Sequence, residues 1–85
     1  MASTLYIVSR PLNDQTRALI PNSTPANDIR LLLIGDGVRS RLSDLPGANV
    51  LAEDAIARGV PASDQNVSYS AMLDMIFGAD HVVVL

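Results

Sequence analysis

The chain has 85 residues, a net charge of −3 and one histidine; its six basic residues are all arginine, and it has no cysteine. This length suits one domain, residues 1–85, and the missing cysteine excludes disulfides, thiolate metal ligands and thiol catalysis by this chain. A single histidine is too few for a histidine-based metal site, and we expect no cofactor. The absence of a basic run argues against direct nucleic-acid binding.

The distribution of apolar residues bears on the cellular location of the chain and on its contacts. No apolar run approaches the roughly 20 residues that span a bilayer, and the first residues lack the basic region of a signal peptide. We therefore expect a cytoplasmic protein without a membrane partner. Hydrophobic residues nevertheless make up 48% of the chain, with a mean hydropathy of +0.25. A small domain has little interior, so we expect part of this apolar surface to meet another subunit.

Short apolar runs predict the strands. We expect strands at 5–8, 30–34, 49–52 and 81–85, with 67–69 as a further brief strand. These runs are continuously apolar instead of alternating, which is typical of strands covered on both faces.

The stretches between the strands predict helices. We expect helices at 13–20, 38–45, 53–58 and 71–77. Asn13 or Asp14 is expected to cap the first helix, Ser70 the last, and Gly59 to end the third. Strands alternating with helices predict an α/β fold, a three-layer α/β/α sandwich with a parallel sheet of four or five strands.

Candidate site residues follow three of the predicted strands. In a parallel sheet, ligand sites form beyond the carboxyl ends of the strands, which here carry Arg10, Asp36 beside Gly37, and the pair Glu53 and Asp54. Asp36 is interpreted either as a general base or ligand-holding group, or as a cap or Asx turn beside glycine, and we favour the second.

The acidic pair and the arginine after it also have two interpretations. Glu53 and Asp54 are paired carboxylates, or they occupy a first helical turn, where the helix dipole favours negative charge. Arg58 is a site residue, or a last-turn cation that pairs with Asp54 at i, i+4. We favour the structural interpretation for all three.

The last predicted helix is apolar over more than one face. Packing on a sheet requires only a stripe of three to four positions in two turns. Met72, Met75 and Phe77 are therefore predicted to contact another subunit, with core filling as the alternative.

Four segments in order resemble the DsrH/TusB family: 4–11, 31–38, 50–59 and 67–73. The resemblance is carried by Asp36-Gly37-Val38 after an apolar strand and by Glu53-Asp54-Ala55-Ile56-Ala57-Arg58-Gly59 after the next. It implies a DsrE/DsrF/DsrH-like fold and a place in a sulfur relay beside DsrE/TusD-like and DsrF/TusC-like subunits. Such relays serve 2-thiolation of the tRNA wobble uridine or the oxidation of stored sulfur.

The missing cysteine narrows the implied role. Many DsrH members carry a cysteine near positions 19–20, whereas TusB members lack a working one there. Persulfide transfer requires a thiolate, so we expect a non-catalytic subunit that scaffolds the tRNA-directed relay. The alternatives are the DsrH-type subunit of sulfur oxidation, or a homo-oligomeric module that binds a small ligand near Asp36. An enzyme with Asp36 or Glu53 as its base is the least favoured.

Overall fold

The computed structural model describes residues 2–11, 13–21, 24–40, 47–60 and 65–85. Its strands are β1 (Ala2–Val8), β2 (Asn27–Leu33), β3 (Asn49–Leu51), β4 (Asn66–Val67) and β5 (His81–Val84). Its helices are α1 (Asp14–Ala18), α2 (Ala52–Ala57), α3 (Tyr69–Gly78) and a 3₁₀ helix (Gly35–Arg39). Over these ranges no helix combines the length and the apolar character needed to cross a bilayer.

The five strands form one sheet in which every pair is parallel, with the order β4-β3-β2-β1-β5. The predicted α/β fold with a parallel sheet is therefore confirmed, at the upper end of the expected strand number. β1 lies between β2 and β5, and Tyr6 is in register with Leu31 on one side and Val83 on the other.

Apolar clusters cover both faces of this sheet. Successive side chains along a strand point to opposite faces, so a continuous apolar run supplies both clusters. The first contains Val8, Leu33 and Val50 of the sheet, packed with Ile20, Val38, Ala48 and Ala55. The second contains Leu5, Ile7, Leu32 and Leu51, packed with Met72 of α3. Helical segments on both faces are consistent with three layers.

The helix starts confirm one predicted cap and correct another. Asn13 caps α1, because its side chain accepts a hydrogen bond from the Thr16 amide at 2.8 Å. Ser68, not Ser70, caps α3: it accepts from the Ala71 amide at 3.1 Å. A cap residue needs extended backbone, which Ser68 has (φ −75°, ψ 165°), whereas Ser70 already lies inside the helix.

β1 and β2 each begin three residues earlier than expected, at Ala2 and Asn27, and two further elements also differ from prediction. Most of the helix expected at 38–45 falls on residues 41–46, which lie outside the described ranges; its first two residues, 38 and 39, belong to a 3₁₀ helix that begins at Gly35 and ends at Arg39. The expected strand at 67–69 is the two-residue β4, because Ser68 already caps α3. The predicted glycine stop of α2 is confirmed, since Gly59 has φ +69°, the left-handed value that favours glycine.

Candidate functional site

The loops after β1, β2 and β3 meet at one edge of the sheet, because these parallel strands are neighbours. We call this region the carboxyl edge and define it by Arg10, Asp36, Glu53, Asp54 and Arg58. It contains all the charged residues that the sequence predicts as site candidates. The structure connects Asp36, Asp54 and Arg58 through hydrogen bonds and ion pairs. Arg10 and Glu53 lie outside this network.

Asp54 ties α2 to the loop after β2. It lies in the first turn of α2, and its Oδ2 accepts a hydrogen bond from the Gly35 amide at 2.7 Å. A charged acceptor at this distance makes a strong hydrogen bond. Gly35 has φ +51°, a left-handed conformation that positions its amide at the start of the 3₁₀ helix. Asp54 therefore occupies the predicted first-turn position and also fixes the neighbouring loop.

Arg58 bridges the same two segments from the other end of α2. Its Nε lies 2.9 Å from Oδ1 of Asp36, and its Nη1 lies 3.5 Å from the Asp54 carbonyl oxygen. The i, i+4 pair with the Asp54 carboxylate is longer, at 3.9 Å. The main ion-pair partner of Arg58 is therefore Asp36, which lies 22 positions earlier in the chain.

This contact changes the acidity of Asp36. The hydrogen bond from Arg58 and the charge of its guanidinium, with a smaller contribution from Arg39, lower the pKa of the Asp36 carboxyl below its ordinary value of 3.8. A general base works best when its pKa lies near the operating pH. A carboxylate with a lowered pKa is a poor base at neutral pH, which argues against catalysis by Asp36.

We expect Arg58→Met to raise the pKa of Asp36 towards its ordinary value, because the hydrogen bond and the positive charge are both removed. The Asp36 carboxyl carbon, followed by NMR during an acid titration, reports this shift. Arg39→Met is the control and should produce a smaller change. Because folding lowers this pKa, the stabilisation is complete above pH 3.8 and is lost as the pH falls through the folded-state pKa. An Asp36 titration that Arg58→Met leaves unchanged would refute this account.

Gly37 has a packing role at the carboxyl edge. A Cβ at this position would lie 2.1 Å from the carbonyl oxygen of Val8 and 2.9 Å from its carbonyl carbon. Any side chain would therefore collide with the end of β1. The sequence signal for this contact was the glycine itself, which the chain places beside Asp36.

Arg10 and Glu53 take no part in the ion-pair network among the described residues. Glu53 is exposed in the first turn of α2. Arg10 is exposed and lines a cavity of about 440 Å³ at the carboxyl ends of β1 and β5. Ser9, Thr16, Leu19 and Val84 contribute to the same cavity. The sequence could not place this cavity, because the order of the strands in the chain does not reveal that β5 lies beside β1.

The three residues predicted to contact a partner have different environments. Met72 is 9% exposed and packs inside the chain's own core, and Met75 packs against the same cluster. Phe77 is 83% exposed at the end of α3. Of these three, Phe77 is the one whose side chain is mostly exposed. Two of the three valines of β5, whose surface the sequence did not single out, are also exposed: Val82 at 41% and Val84 at 68%.

Comparison of the chain with protein family models, with curated proteins and with solved structures finds no match. Within the described ranges, no three His, Asp or Glu side chains are grouped so that they could hold a metal ion. Function is therefore inferred from the residues of the carboxyl edge and from their contacts. Asp36, Asp54 and Arg58 form a hydrogen-bonded, ion-paired junction between α2 and the loop after β2.

Proposed function

We propose that the chain is a non-catalytic subunit of a sulfur-relay complex, with the fold and role of the DsrH/TusB family. In this role it supports persulfide transfer between cysteine-bearing partners on the way to 2-thiolation of the tRNA wobble uridine. The parallel α/β sheet with apolar clusters on both faces is compatible with the fold that the resemblance implies.

One observation carries the proposal. The two segments that resemble the family most, 31–38 and 50–59, are bonded to each other in three dimensions. Asp54 accepts from Gly35 at 2.7 Å, and Arg58 donates to Asp36 at 2.9 Å. The residues behind the resemblance therefore form one structural unit at the carboxyl edge, where parallel sheets place their functional loops.

The chemistry of sulfur transfer assigns the reacting groups to the partners. A thiolate attacks the outer sulfur of a persulfide; a new S–S bond forms, the old one breaks, and the donor cysteine leaves as a thiolate. No external oxidant or reductant is consumed. This chain has no cysteine, and its hydroxyls and carboxylates cannot carry transferable sulfur. Its contribution is to hold partner subunits together and to shape the surroundings of a partner's cysteine.

The paired charges of the carboxyl edge suit such a supporting role. Arg58 forms an ion pair with Asp36, and Asp54 accepts a hydrogen bond from the Gly35 amide. These contacts hold the loop after β2 against α2 without a ligand. The proposed partners are DsrE/TusD-like and DsrF/TusC-like subunits that supply the cysteines. A relay through free thiols needs a reducing compartment, which places the proposed complex in the cytoplasm.

Purification from the native host tests the proposal. A tagged chain should recover cysteine-containing subunits of related fold, which mass spectrometry of the intact complex would identify. Arg58→Glu should reduce this recovery, because it puts a third carboxylate beside Asp36 and Asp54. Arg30→Glu, a charge reversal at an exposed position on β2, should leave the recovery unchanged.

Other outcomes of this purification point to the alternatives. Recovery of the chain only with itself would contradict the relay and support the homo-oligomeric module. Recovery with sulfur-oxidation proteins would contradict the tRNA pathway and support the DsrH-type role.

A further inference from the structure

We propose that two copies of this chain associate through β5, edge to edge and antiparallel, so that their sheets join into one of ten strands. The pairing is centred on Val83 and places Val82 of each copy opposite Val84 of the other. It goes beyond the proposed function, because it concerns the isolated chain and does not require a sulfur relay.

The backbone of β5 is available for this pairing. β5 lies at the end of the sheet, with β1 as its neighbour. Leu85 donates to the Ile7 carbonyl at 2.8 Å and accepts from the Ser9 amide at 3.3 Å, so its backbone groups face β1. Because these groups alternate in direction along a strand, those of Val84 and Val82 face away from β1. No strand of the described ranges pairs with this side of β5, so these groups form an open row of donors and acceptors, the feature through which edge strands pair.

The side chains of the same two residues are also exposed. Val82 is in register with Leu5 and Val84 with Ile7, on the face of the sheet that α3 covers. Leu5 and Ile7 are nearly fully buried, whereas Val82 is 41% and Val84 68% exposed. The apolar surface on this face therefore continues beyond the helix to the edge strand.

The spacing of the two valines makes this edge complementary to itself. In an antiparallel pair centred on Val83, each Val82 lies directly across from Val84 of the second copy, and directly opposite side chains share a face. Four valines then form one apolar cluster beside the two α3 helices. This symmetric arrangement, in which the same patch occurs on both sides, is the usual interface of a twofold dimer.

The charges at the two ends of β5 also favour antiparallel pairing with a second copy. Asp80 precedes the strand, and Arg10 lies near its carboxyl end, where it lines the cavity beside Val84 and Leu85. The antiparallel arrangement brings Arg10 of one copy towards Asp80 of the other, twice in each dimer. Roughly two strand spacings, about 10 Å between backbones, separate them, so the two opposite charges attract across the interface. One Asp80 oxygen accepts from the Ser3 amide of its own β1, which holds the carboxylate at this end of the strand.

The first measurement uses the wild-type chain. Light scattering over a range of concentrations should show a monomer that converts to a dimer, and no larger particle. Amide hydrogen exchange should slow at Val82 and Val84 as the dimer forms, whereas the Val83 amide, which faces β1 in the monomer, should change little. A chain that stays monomeric, or a dimer in which Val82 and Val84 exchange as in the monomer, would overturn the proposal.

Variants then locate the interface. Val84→Lys should raise the dissociation constant of the dimer at least roughly tenfold, since a charged edge residue opposes pairing and occurs twice in the interface. Ile56→Lys removes an apolar side chain that is 75% exposed on α2 and should leave the dimer intact. Phe77→Lys tests the end of α3 and should change the dissociation constant less than Val84→Lys does. A dimer that Phe77→Lys disrupts and Val84→Lys spares would exclude the β5 edge.

The attraction between Arg10 of one copy and Asp80 of the other provides a test of the antiparallel orientation. Arg10→Glu should raise the dissociation constant by roughly three- to tenfold, because two exposed pairs become repulsive. Arg17→Glu, on α1, is the matched control and should have little effect. Equal effects of the two reversals would contradict the antiparallel orientation.

Discussion

Replacement of Gly37 with alanine is expected to lower the free energy of unfolding by about 3 kcal/mol, the upper end of the usual cost of overpacking. The added Cβ would lie 2.1 Å from the Val8 carbonyl oxygen, a backbone atom that cannot rotate away. That oxygen also accepts from the Ile34 amide at 2.9 Å, so moving β1 aside would break a bond between neighbouring strands. Urea denaturation followed by circular dichroism measures the loss.

Gly78 provides the matched control. It is the last residue of α3, and a Cβ there would meet nothing within 4 Å. Gly78→Ala should leave the stability unchanged or raise it by up to about 1 kcal/mol, because alanine is the better helix former. Equal stability of the Gly37→Ala and Gly78→Ala variants would contradict the close packing of Gly37 against β1.

Replacement of Asp54 with alanine is expected to cost about 1–2 kcal/mol, because the Gly35 amide loses its charged acceptor. The bond is short, at 2.7 Å, and holds α2 against the loop after β2. The side chain of Asp54 is 32% exposed, so water replaces part of the lost interaction and keeps the cost below that of a fully buried site. Asp54→Asn keeps an acceptor oxygen and should recover part of the stability.

Glu53 separates this effect from the general effect of charge at a helix start. It precedes Asp54 in the same first turn but is exposed. Glu53→Ala should change the free energy of unfolding by less than about 0.5 kcal/mol. Similar losses for Glu53→Ala and Asp54→Ala would mean that the helix dipole, and not the bond to Gly35, accounts for the role of Asp54.

Local patterns in the sequence predicted the fold class correctly. The runs at 30–34 and 81–85 do not alternate, and both belong to strands of the parallel sheet. Asn13 and Gly59 were assigned to helix ends by the chemistry of those ends, a side-chain acceptor and a left-handed backbone. Such features are set by a few neighbouring residues, and this is why the sequence predicts them.

Contacts between distant segments were harder to predict. Arg58 was expected to pair with Asp54 four residues earlier, and its shorter contact is with Asp36. That choice depends on β2 and β3 being neighbours, which brings the loop of one beside the helix that follows the other. The cap of α3 was misplaced by two residues because Ser68 and Ser70 have equal capping chemistry, and only the backbone conformation distinguishes them.

The exposure of β5 also depends on strand order. The run of valines reads as a buried strand, but its position at the end of the sheet leaves Val84 68% exposed. The expectation from composition that apolar surface meets another subunit therefore has a specific candidate at this edge. Met72, which the sequence assigned to such a surface, is instead among the core residues.

Sulfur transfer measured with and without this chain tests the proposed function most directly. A cysteine desulfurase and labelled cysteine would load the cysteine-bearing subunits that co-purify with the chain. The label should appear on those subunits alone, and its onward transfer should be faster when the wild-type chain is present than when Arg58→Glu replaces it. A transfer rate that does not depend on this chain, or label retained on the chain itself, would contradict the scaffold role.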